Sequence, residues 1–309
     1  MRRTLQHVSA AAAGALLAVV AGCGGGGGDG GSSAGGVPPP DPTFTVVAAG
    51  DIGQCGDAPA AASAAARTAV LVDAQDQLVL TLGDSTYPVG APVEFTDCFH
   101  PTWGAFLDRI RPSPGNHEYY TAGAEGYFGY FGAQAGPQRR GYYSFDHGGW
   151  HFISLNSNVD AAPGSPQYQW LAADLAASRD TLCTIAYWHY PLTSSGEYGN
   201  IPAMAKAYEA LHAAGVDIVL SGHVHIYERF APQAADGTAD PQRGIRNFVV
   251  GTGGAALYPL GVIHPNSEVR DNSTHGILRL TLGRDAYTWA FVPVGGGPAR
   301  DSGRTSCHR

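Results

Sequence analysis

The chain has 309 residues, of which 44% are hydrophobic and 14% are charged, and its formal net charge is −8. That length is enough for one large domain with a well-buried core. There is no stripe of basic residues, and Lys206 is the single lysine, so nucleic acid and anionic membrane surfaces are poor candidates as partners. An anionic ligand would depend on local positive charge, which points to metal ions rather than to Lys or Arg.

The first 22 residues are typical of an export signal. Arg2 and Arg3 precede an apolar run over 10–21, which is too short to span a bilayer as a mature helix. The run ends in Val-Ala-Gly-Cys at 20–23, which resembles the lipobox of bacterial lipoproteins, where the signal is cut before the cysteine and the cysteine carries the lipid. The resemblance implies an exported protein anchored to a membrane through Cys23, facing the periplasm or the cell exterior. An ordinary secretory signal with a chance cysteine is the alternative.

Residues 23–42 are rich in Gly and Ser and then in Pro, which predicts a tether that is first disordered and then extended. A single folded domain is expected over 43–309, and its pattern alternates strand, loop and helix. Strand and helix signals in its first half predict, in chain order, a strand at 44–49, a helix at 60–74, a strand at 78–82, a helix at 94–110 and a short strand before Pro114. The second half predicts a hairpin of 142–145 and 151–156, a helix from the N-cap Ser165 to about 178, a strand at 184–188, a helix at 204–214 and strands at 218–220, 247–250, 276–282 and 287–292.

The early strands share one feature: each ends in a tight loop, usually with glycine, that carries Asp, Asn or His. Because ligands in α/β sheets bind outside the carboxyl ends of the strands, these loops imply one shared site. Oxygen and imidazole side chains of this kind suit Fe, Zn or Mn. Taken singly the motifs are weak, since Gly-Asp pairs are common turns and a buried histidine is often structural. The candidates are Asp51, Asp84, Asn116, His189, His223 and His225.

The order of these motifs resembles the purple acid phosphatases of the metallophosphoesterase (calcineurin-like) superfamily. The resemblance implies an α/β fold, a four-layer α/β/β/α sandwich of two mixed sheets flanked by helices. One departure is Ala186, where the family usually has Val. The matching blocks are Gly50-Asp51-Ile52-Gly53, Gly83-Asp84-Ser85-Thr86-Tyr87, Gly115-Asn116-His117-Glu118, Ala186-Tyr187-Trp188-His189 and Gly222-His223-Val224-His225.

The resemblance also implies a ligand set. Many metallophosphoesterases carry a histidine where this chain has Gly53, and Tyr87 would supply the missing ligand. A free phenol has a pKa of about 10, so its ionisation near neutral pH favours a strong Lewis acid such as Fe(III). A packed loop aromatic is the alternative for Tyr87. The family roles would give Fe(III) to Asp51, Tyr87 and His225, a divalent Fe, Zn or Mn to Asn116, His189 and His223, and the bridging position to Asp84.

The implied activity is hydrolysis of small phosphomonoesters by attack of a metal-bound hydroxide. His117 is the candidate acid or phosphate donor, and a purely structural loop histidine is its alternative. Asn116, His117 and Tyr198 are expected to contact the substrate. Tyr198 stands where small mammalian-type purple phosphatases usually have a histidine, and tyrosine is a poor proton donor at low pH, so an acid optimum does not follow. Two rival hypotheses are a phosphodiesterase or nucleotide hydrolase on the same site, and a non-catalytic surface lipoprotein that retains the fold.

Four cysteines follow Cys23, and export favours their oxidation. Three pairings are possible. We favour Cys55–Cys98, because both lie in loops after early strands, and Cys183–Cys307, which would hold the C-terminal tail. Free buried thiols are the alternative, and the sequence does not give the oligomeric state.

Overall fold

The computed structural model of the chain describes residues 42–56 and 58–308. The predicted signal segment, Cys23 and the tether up to residue 41 lie outside the described residues. Within the described residues, the strands are β1 (Phe44–Ala49), β2 (Asp76–Leu82), β3 (Ile110–Ser113), β4 (Tyr143–His147), β5 (Trp150–Ser154), β6 (Cys183–Tyr187), β7 (Ile218–Ser221), β8 (Tyr227–Phe230), β9 (Arg246–Val250), β10 (Ser267–Asp271), β11 (Gly276–Leu282), β12 (Ala286–Pro293) and β13 (Asp301–Ser306). The α-helices are α1 (Ala64–Ala69), α2 (Pro92–Glu94), α3 (Asn116–Tyr119), α4 (Glu125–Phe131), α5 (Pro166–Ala177) and α6 (Ala205–Ala214).

These strands form two mixed sheets. The first has the order β13-β12-β11-β1-β2-β3, and the second has the order β10-β8-β9-β7-β6-β5-β4. Strands β1, β2 and β3 are parallel to one another, as are β5, β6, β7 and β9. Their runs of Val, Ile, Leu and Ala are almost wholly buried, as expected for parallel strands covered on both faces.

The two sheets pack against each other through aromatic side chains, and helices cover the outer faces. Tyr227 of the second sheet stacks on Phe291 of the first with ring centroids 4.2 Å apart. Helices α5 and α6 bury Leu171 and Leu211 against the second sheet, while α1 and α4 share one core cluster with the first sheet. The predicted arrangement of two mixed sheets flanked by helices is confirmed. No helix in the described part of the chain is long and apolar enough to cross a membrane.

Several local predictions are also confirmed. The hairpin turns at Gly148 and Gly149, whose φ angles of 58° and 85° suit glycine. The Ser165 side chain caps α5 by accepting the Tyr168 N–H at 3.2 Å. Both favoured cysteine pairings are formed in the structure, Cys55–Cys98 and Cys183–Cys307.

Two helix predictions are wrong in extent. The segment at 60–74 is a 3-10 turn (Ala60–Ala62) followed by a short α1, because Ser63 caps a new helix by accepting the Ala66 N–H. The segment at 94–110 is interrupted at Pro101, which cannot continue a helix. A π-helical turn (Phe95–Phe99) precedes that proline, a 3-10 turn (Trp103–Phe106) follows it, and Ile110 already belongs to β3.

Candidate metal centre

The predicted ligands all follow strand ends on the same edge of the two sheets. Asp51 follows β1, Asp84 and Tyr87 follow β2, Asn116 follows β3, His189 follows β6, and His223 and His225 follow β7. Three of them have left-handed backbone conformations, with φ angles of 61° at Asp51, 48° at Asp84 and 69° at His223. Such conformations are costly for residues other than glycine and occur preferentially at functional sites.

Gly53 and Tyr87 are coupled through the backbone. The Gly53 N–H donates to the Ser85 carbonyl at 3.0 Å, and the Tyr87 N–H donates to the Gly53 carbonyl at 3.1 Å. A Cβ atom at position 53 would lie only 2.7 Å from the Ser85 oxygen. A side chain at position 53 would therefore displace the loop that presents Tyr87. The position of Tyr87 in the site thus depends on glycine at position 53.

The Tyr87 hydroxyl is surrounded by acceptor atoms. Its oxygen lies 3.0 Å from Asp51 Oδ1, 3.2 Å from Asp84 Oδ2 and 3.2 Å from His225 Nε2. One hydroxyl proton can be donated to only one of these atoms. At least one of the two carboxylate contacts therefore joins electron pairs, and a cation within this cluster of predicted ligands would relieve the repulsion.

Two of the predicted histidine ligands are oriented by hydrogen bonds to backbone carbonyls. His189 Nδ1 donates to the Leu82 carbonyl at 2.8 Å, and His225 Nδ1 donates to the Ala256 carbonyl at 2.7 Å. Each Nε2 therefore faces the cluster: His189 Nε2 lies 3.0 Å from Asn116 Oδ1 and 3.2 Å from an Asp84 oxygen. Backbone carbonyls commonly orient metal-ligating histidines in this way, leaving the other nitrogen for the metal. His223 lies beside them, since Asp84, His189 and His223 offer ligand atoms within 4.8 Å of one another.

Protons balance the charges of the cluster when it holds no cation. Burial disfavours the charged form of His189, but Asp84 raises the pKa of His189 to about 9. Burial also works against ionised Asp84, yet His189 and His117 lower the pKa of Asp84 to about 2. Burial and the neighbouring His189 lower the pKa of His223 to about 4. Burial, followed by Asp51, raises the pKa of Tyr87 well above its ordinary value, so ionised Tyr87 requires a strong Lewis acid nearby.

The donor set fits metal ions. It contains two carboxylates, a phenol, an amide oxygen and three imidazoles, a mixture suited to iron, zinc or manganese. Among the described residues, the recorded ion pairs of Asp51 and Asp84 are all with histidine, and none is with arginine or lysine. The backbone also approaches closely, because a Cβ atom at Gly115 would lie 2.1 Å from Asp84 Oδ1.

His117 lies at the opening of the cluster and is partly exposed. Its Nδ1 donates to the Pro88 carbonyl at 2.6 Å, so its Nε2 faces inward, 3.8 Å from an Asp84 oxygen. The neighbouring Asn116 amide donates from Nδ2 to the Tyr120 hydroxyl at 3.0 Å, which directs Oδ1 towards His189. In each side chain, one polar atom therefore faces the cluster, while the second polar atom is fixed by a hydrogen bond outside it.

Tyr198 is farther from the cluster than the other predicted site residues. Its side chain is 67% exposed, and its ring contacts Tyr258 with centroids 5.4 Å apart. Tyr258 in turn stacks on the His225 ring at 3.9 Å. The structure thus places Tyr198 at the rim, where its contact with the cluster runs through Tyr258.

Sequence reasoning gave no role to two buried glutamates. Glu118 accepts the backbone N–H groups of Ser85 at 2.7 Å, Asp84 at 3.0 Å and Gly115 at 2.6 Å, and so joins two ligand loops. Glu228 accepts the backbone N–H of Ser195 at 2.8 Å and the hydroxyl of Ser194 at 3.0 Å. The spacing of Glu118 from Gly115 matches a capping-box position, a signal that could have identified its role.

Two packed mixed sheets with Asp, Asn, Tyr and His at the ends of their parallel strands define a metal-dependent phosphoesterase fold. A family model agrees with this class: calcineurin-like phosphoesterase matches residues 44–227. The chain belongs to the calcineurin-like phosphoesterase family.

Curated relatives agree with the narrower resemblance. Purple acid phosphatase 22 of Arabidopsis thaliana is 39% identical over 160 residues, which cover 48% of this chain and 36% of that protein. Purple acid phosphatase 21 of the same plant is 32% identical over 227 residues, covering 64% of this chain and 51% of that protein. The matches thus span about half or less of these relatives. A solved purple acid phosphatase, PPD1 from yellow lupin (Lupinus luteus) seeds, shares the fold, with a TM-score of 0.67 and 20% identity over 87% of this chain and 55% of that one. The predicted resemblance to purple acid phosphatases is confirmed.

Proposed function

We propose that the chain is a dimetal phosphoesterase of the purple acid phosphatase type that hydrolyses small phosphomonoesters. One observation carries the proposal: three predicted ligands surround the Tyr87 hydroxyl oxygen. It lies 3.0 Å from an Asp51 oxygen, 3.2 Å from an Asp84 oxygen and 3.2 Å from His225 Nε2. That arrangement favours a trivalent cation, whose charge would outweigh the carboxylates and allow Tyr87 to bind it as tyrosinate.

The proposed ligand assignment follows from which side chains are neighbours. Asp51, Tyr87 and His225 would hold Fe(III), and Asn116, His189 and His223 would hold a divalent Fe, Zn or Mn. Asp84 would bridge the two ions, since its Oδ2 lies near both Tyr87 and His189. When bound, the metal pair supplies Lewis acidity for the phosphoryl oxygens and for an attacking water.

The residues of the chain supply proton transfer and orientation. His117 Nδ1 is occupied by the Pro88 carbonyl, so protonated His117 would donate from Nε2, either to a phosphoryl oxygen or to the departing ester oxygen. The Asn116 amide, held by Tyr120, keeps its oxygen turned inward without adding negative charge.

A visible spectrum combined with metal analysis tests the iron assignment. Oxidised, iron-loaded full-length protein is expected to show a tyrosinate–Fe(III) charge-transfer band that Tyr87→Phe abolishes. Tyr198→Phe is the matched control and should keep the band, because Tyr198 contacts the cluster only through Tyr258. If the iron-loaded wild type has no such band, the purple type is wrong, although a dimetal phosphoesterase could remain.

Turnover of His117→Ala tests the acid. The variant should bind metal normally and lose about 10²- to 10⁴-fold in turnover, the usual contribution of a general acid. Unchanged turnover would remove His117 from the reaction. Comparing p-nitrophenyl phosphate with its bis-ester in the wild type separates the proposed monoesterase from the rival phosphodiesterase.

For the location, we propose the arrangement that the N-terminal sequence favours: signal at 1–22, tether at 23–42 and phosphoesterase domain at 43–309, with export and lipid attachment at Cys23. The motif Val20-Ala21-Gly22-Cys23 supports this proposal. In cells, Cys23→Ser should abolish the lipid mass on the mature protein and release it from the membrane fraction. An unlipidated wild type would instead favour an ordinary secretory signal.

A further inference from the structure

Four tyrosines border the opening of the metal cluster. Three of these rings pack directly against predicted site residues: Tyr120 against His117 at 4.8 Å, Tyr190 against His223 at 4.7 Å and Tyr258 against His225 at 3.9 Å. The fourth ring contacts Tyr258 at 5.4 Å. We call this set the tyrosine rim; it consists of Tyr120, Tyr190, Tyr198 and Tyr258.

The rim has two sides, each with one outer and one inner ring, and on one side the outer Tyr198 contacts the inner Tyr258. Tyr120 and Tyr190 lie on the side of Asn116 and His223, and Tyr198 and Tyr258 lie on the side of His225. The outer rings, Tyr120 and Tyr198, are 62% and 67% exposed, whereas the inner rings are half-buried. Aromatic surface therefore extends from the cluster to solvent on both sides.

Exposed aromatic rings at a site opening offer surface that a ligand can cover. Removing this area from water is favourable, and stacking on another ring adds to the gain. Tyrosines without a role in the site would not be expected to pack against three different site histidines, as these rings do. The arrangement is that of a subsite for the part of the substrate beyond the phosphoryl group.

The charges near the rim exclude one class of occupant. Within the described residues, no arginine or lysine side chain is recorded in contact with any rim tyrosine, and Asp51 and Asp84 are ion-paired only with histidine. Glu197 is exposed beside Tyr198. A leaving group with several further negative charges would therefore find no counter-charge outside the metal site and would meet a carboxylate.

We propose, on the basis of the proposed function, that the tyrosine rim selects phosphomonoesters of uncharged aromatic alcohols by stacking on the leaving group's ring. In the reaction, the oxygen of water forms a new bond to phosphorus and the ester P–O bond breaks. The aromatic alcohol leaves with one proton, donated by His117. One proton of the water remains on the inorganic phosphate and the other restores protonated His117.

The test compares benzyl phosphate with cyclohexylmethyl phosphate. Both are esters of primary alcohols of similar size, so they differ chiefly in aromaticity. Wild-type kcat/KM is expected to favour the benzyl ester by about two- to tenfold, the range that aromatic stacking provides beyond buried area. If the substrate ring stacks on the Tyr198 side of the rim, Tyr198→Leu should bring the ratio of the two kcat/KM values close to one. If it stacks on the Tyr190 side, Tyr190→Leu should do so. The corresponding Phe variants should keep the preference.

Tyr168→Leu is the matched control, because Tyr168 lies in α5, a helix that supplies no site residue; it should keep the wild-type ratio. Equal rates for the two esters in the wild type, or a preference that survives both Leu variants, would overturn the inference while leaving phosphatase activity intact. A metal-loaded wild type that hydrolyses neither ester nor p-nitrophenyl phosphate would instead overturn the proposed function, and the inference with it.

Discussion

Two of the buried polar clusters in the described part of the chain neutralise carboxylates in different ways. In the arginine cluster, where β8 meets β12 and β13, Asp301 Oδ2 accepts from Arg229 Nε at 2.7 Å, the Tyr227 hydroxyl at 2.7 Å and Trp289 Nε1 at 3.1 Å. In the metal cluster, Asp51 and Asp84 face a phenol and imidazole nitrogens whose other hydrogen bonds are already made to the backbone. The arginine cluster supplies its own permanently charged donor, while the metal cluster is neutralised by protons that its imidazoles can release.

This difference separates stability from function. A guanidinium carries its charge at every accessible pH, so the arginine cluster is complete once the chain is folded. Imidazoles and a phenol can give up protons in exchange for a metal cation. A fold that needed only stability at the strand ends could have used arginine there.

Removing the bridging carboxylate should have the largest effect. Asp84→Asn keeps an oxygen that can accept the backbone N–H of His117. It loses the negative charge that both proposed metal positions would share. On the proposed function, turnover should fall by about a thousandfold or more, since the bound metals would supply several kcal/mol of transition-state stabilisation. Metal per folded chain should fall as well. Turnover within a few-fold of the wild type, with two metals still bound, would contradict the bridging assignment.

The same substitution in the arginine cluster should act on stability instead. Asp301→Asn removes the negative charge beside Arg229 Nε, although Glu268 still pairs with the guanidinium. A buried charge left wholly unpaired costs about 3–5 kcal/mol, so a smaller loss of about 1–3 kcal/mol is expected here. Urea unfolding of chelated wild type and variant measures this difference, while kcat per bound metal should be unchanged. A variant that stays as stable as the wild type but loses metal would contradict the assignment of stability to the arginine cluster and of function to the metal cluster.

Sequence reasoning worked best where the chemistry was local. The ligand loops could be predicted because each follows an apolar strand, whereas the pairing of Gly53 with Tyr87 followed from the resemblance to purple acid phosphatases. Strands β8, β10 and β13 were not delimited, because polar residues such as Arg229, Glu268 and Asp301 interrupt the apolar pattern that marks a strand. Those residues are stabilised by partners distant in sequence, which a single sequence does not reveal. Glu118 was overlooked for a related reason, since its importance lies in three backbone contacts.

Glu118 therefore offers a finer test of the metal cluster. In Glu118→Gln, one of the two oxygens that accept backbone N–H groups becomes an NH₂ group facing those donors. The ligand loops should loosen, and metal affinity should drop by about 10- to 100-fold, as for other residues that orient ligands. Competition with a chelator measures the change. Glu228→Gln is the matched control: it disturbs a buried carboxylate that holds the loop at 194–195, which carries no predicted ligand, and should leave affinity unchanged. Equal losses in both variants would mean that any buried glutamate near the site has this effect.

The smallest expected effect concerns a histidine that neutralises carboxylates without a metal. His151 lies 2.6 Å from Asp146 and 2.9 Å from Asp174, joining the β4–β5 hairpin to α5. Burial lowers the pKa of His151, but the two carboxylates outweigh it and raise the pKa above its ordinary value. Because the folded pKa exceeds the unfolded value of about 6.5, the stabilisation is complete below that pH and is lost as pH rises through the folded pKa.

The free energy of unfolding of chelated wild type should therefore exceed that of His151→Gln by up to about 2 kcal/mol at pH 6, and by less at pH 9. His147→Gln provides the control, because His147 on the same hairpin contacts the amide oxygen of Gln77 rather than a carboxylate. Its effect on unfolding should change little over the same range. A difference between wild type and His151→Gln that is equal at both pH values would show that His151 contributes packing and not charge. The charge of a histidine would then matter in the metal cluster, where a cation can replace the proton, and not at the hairpin.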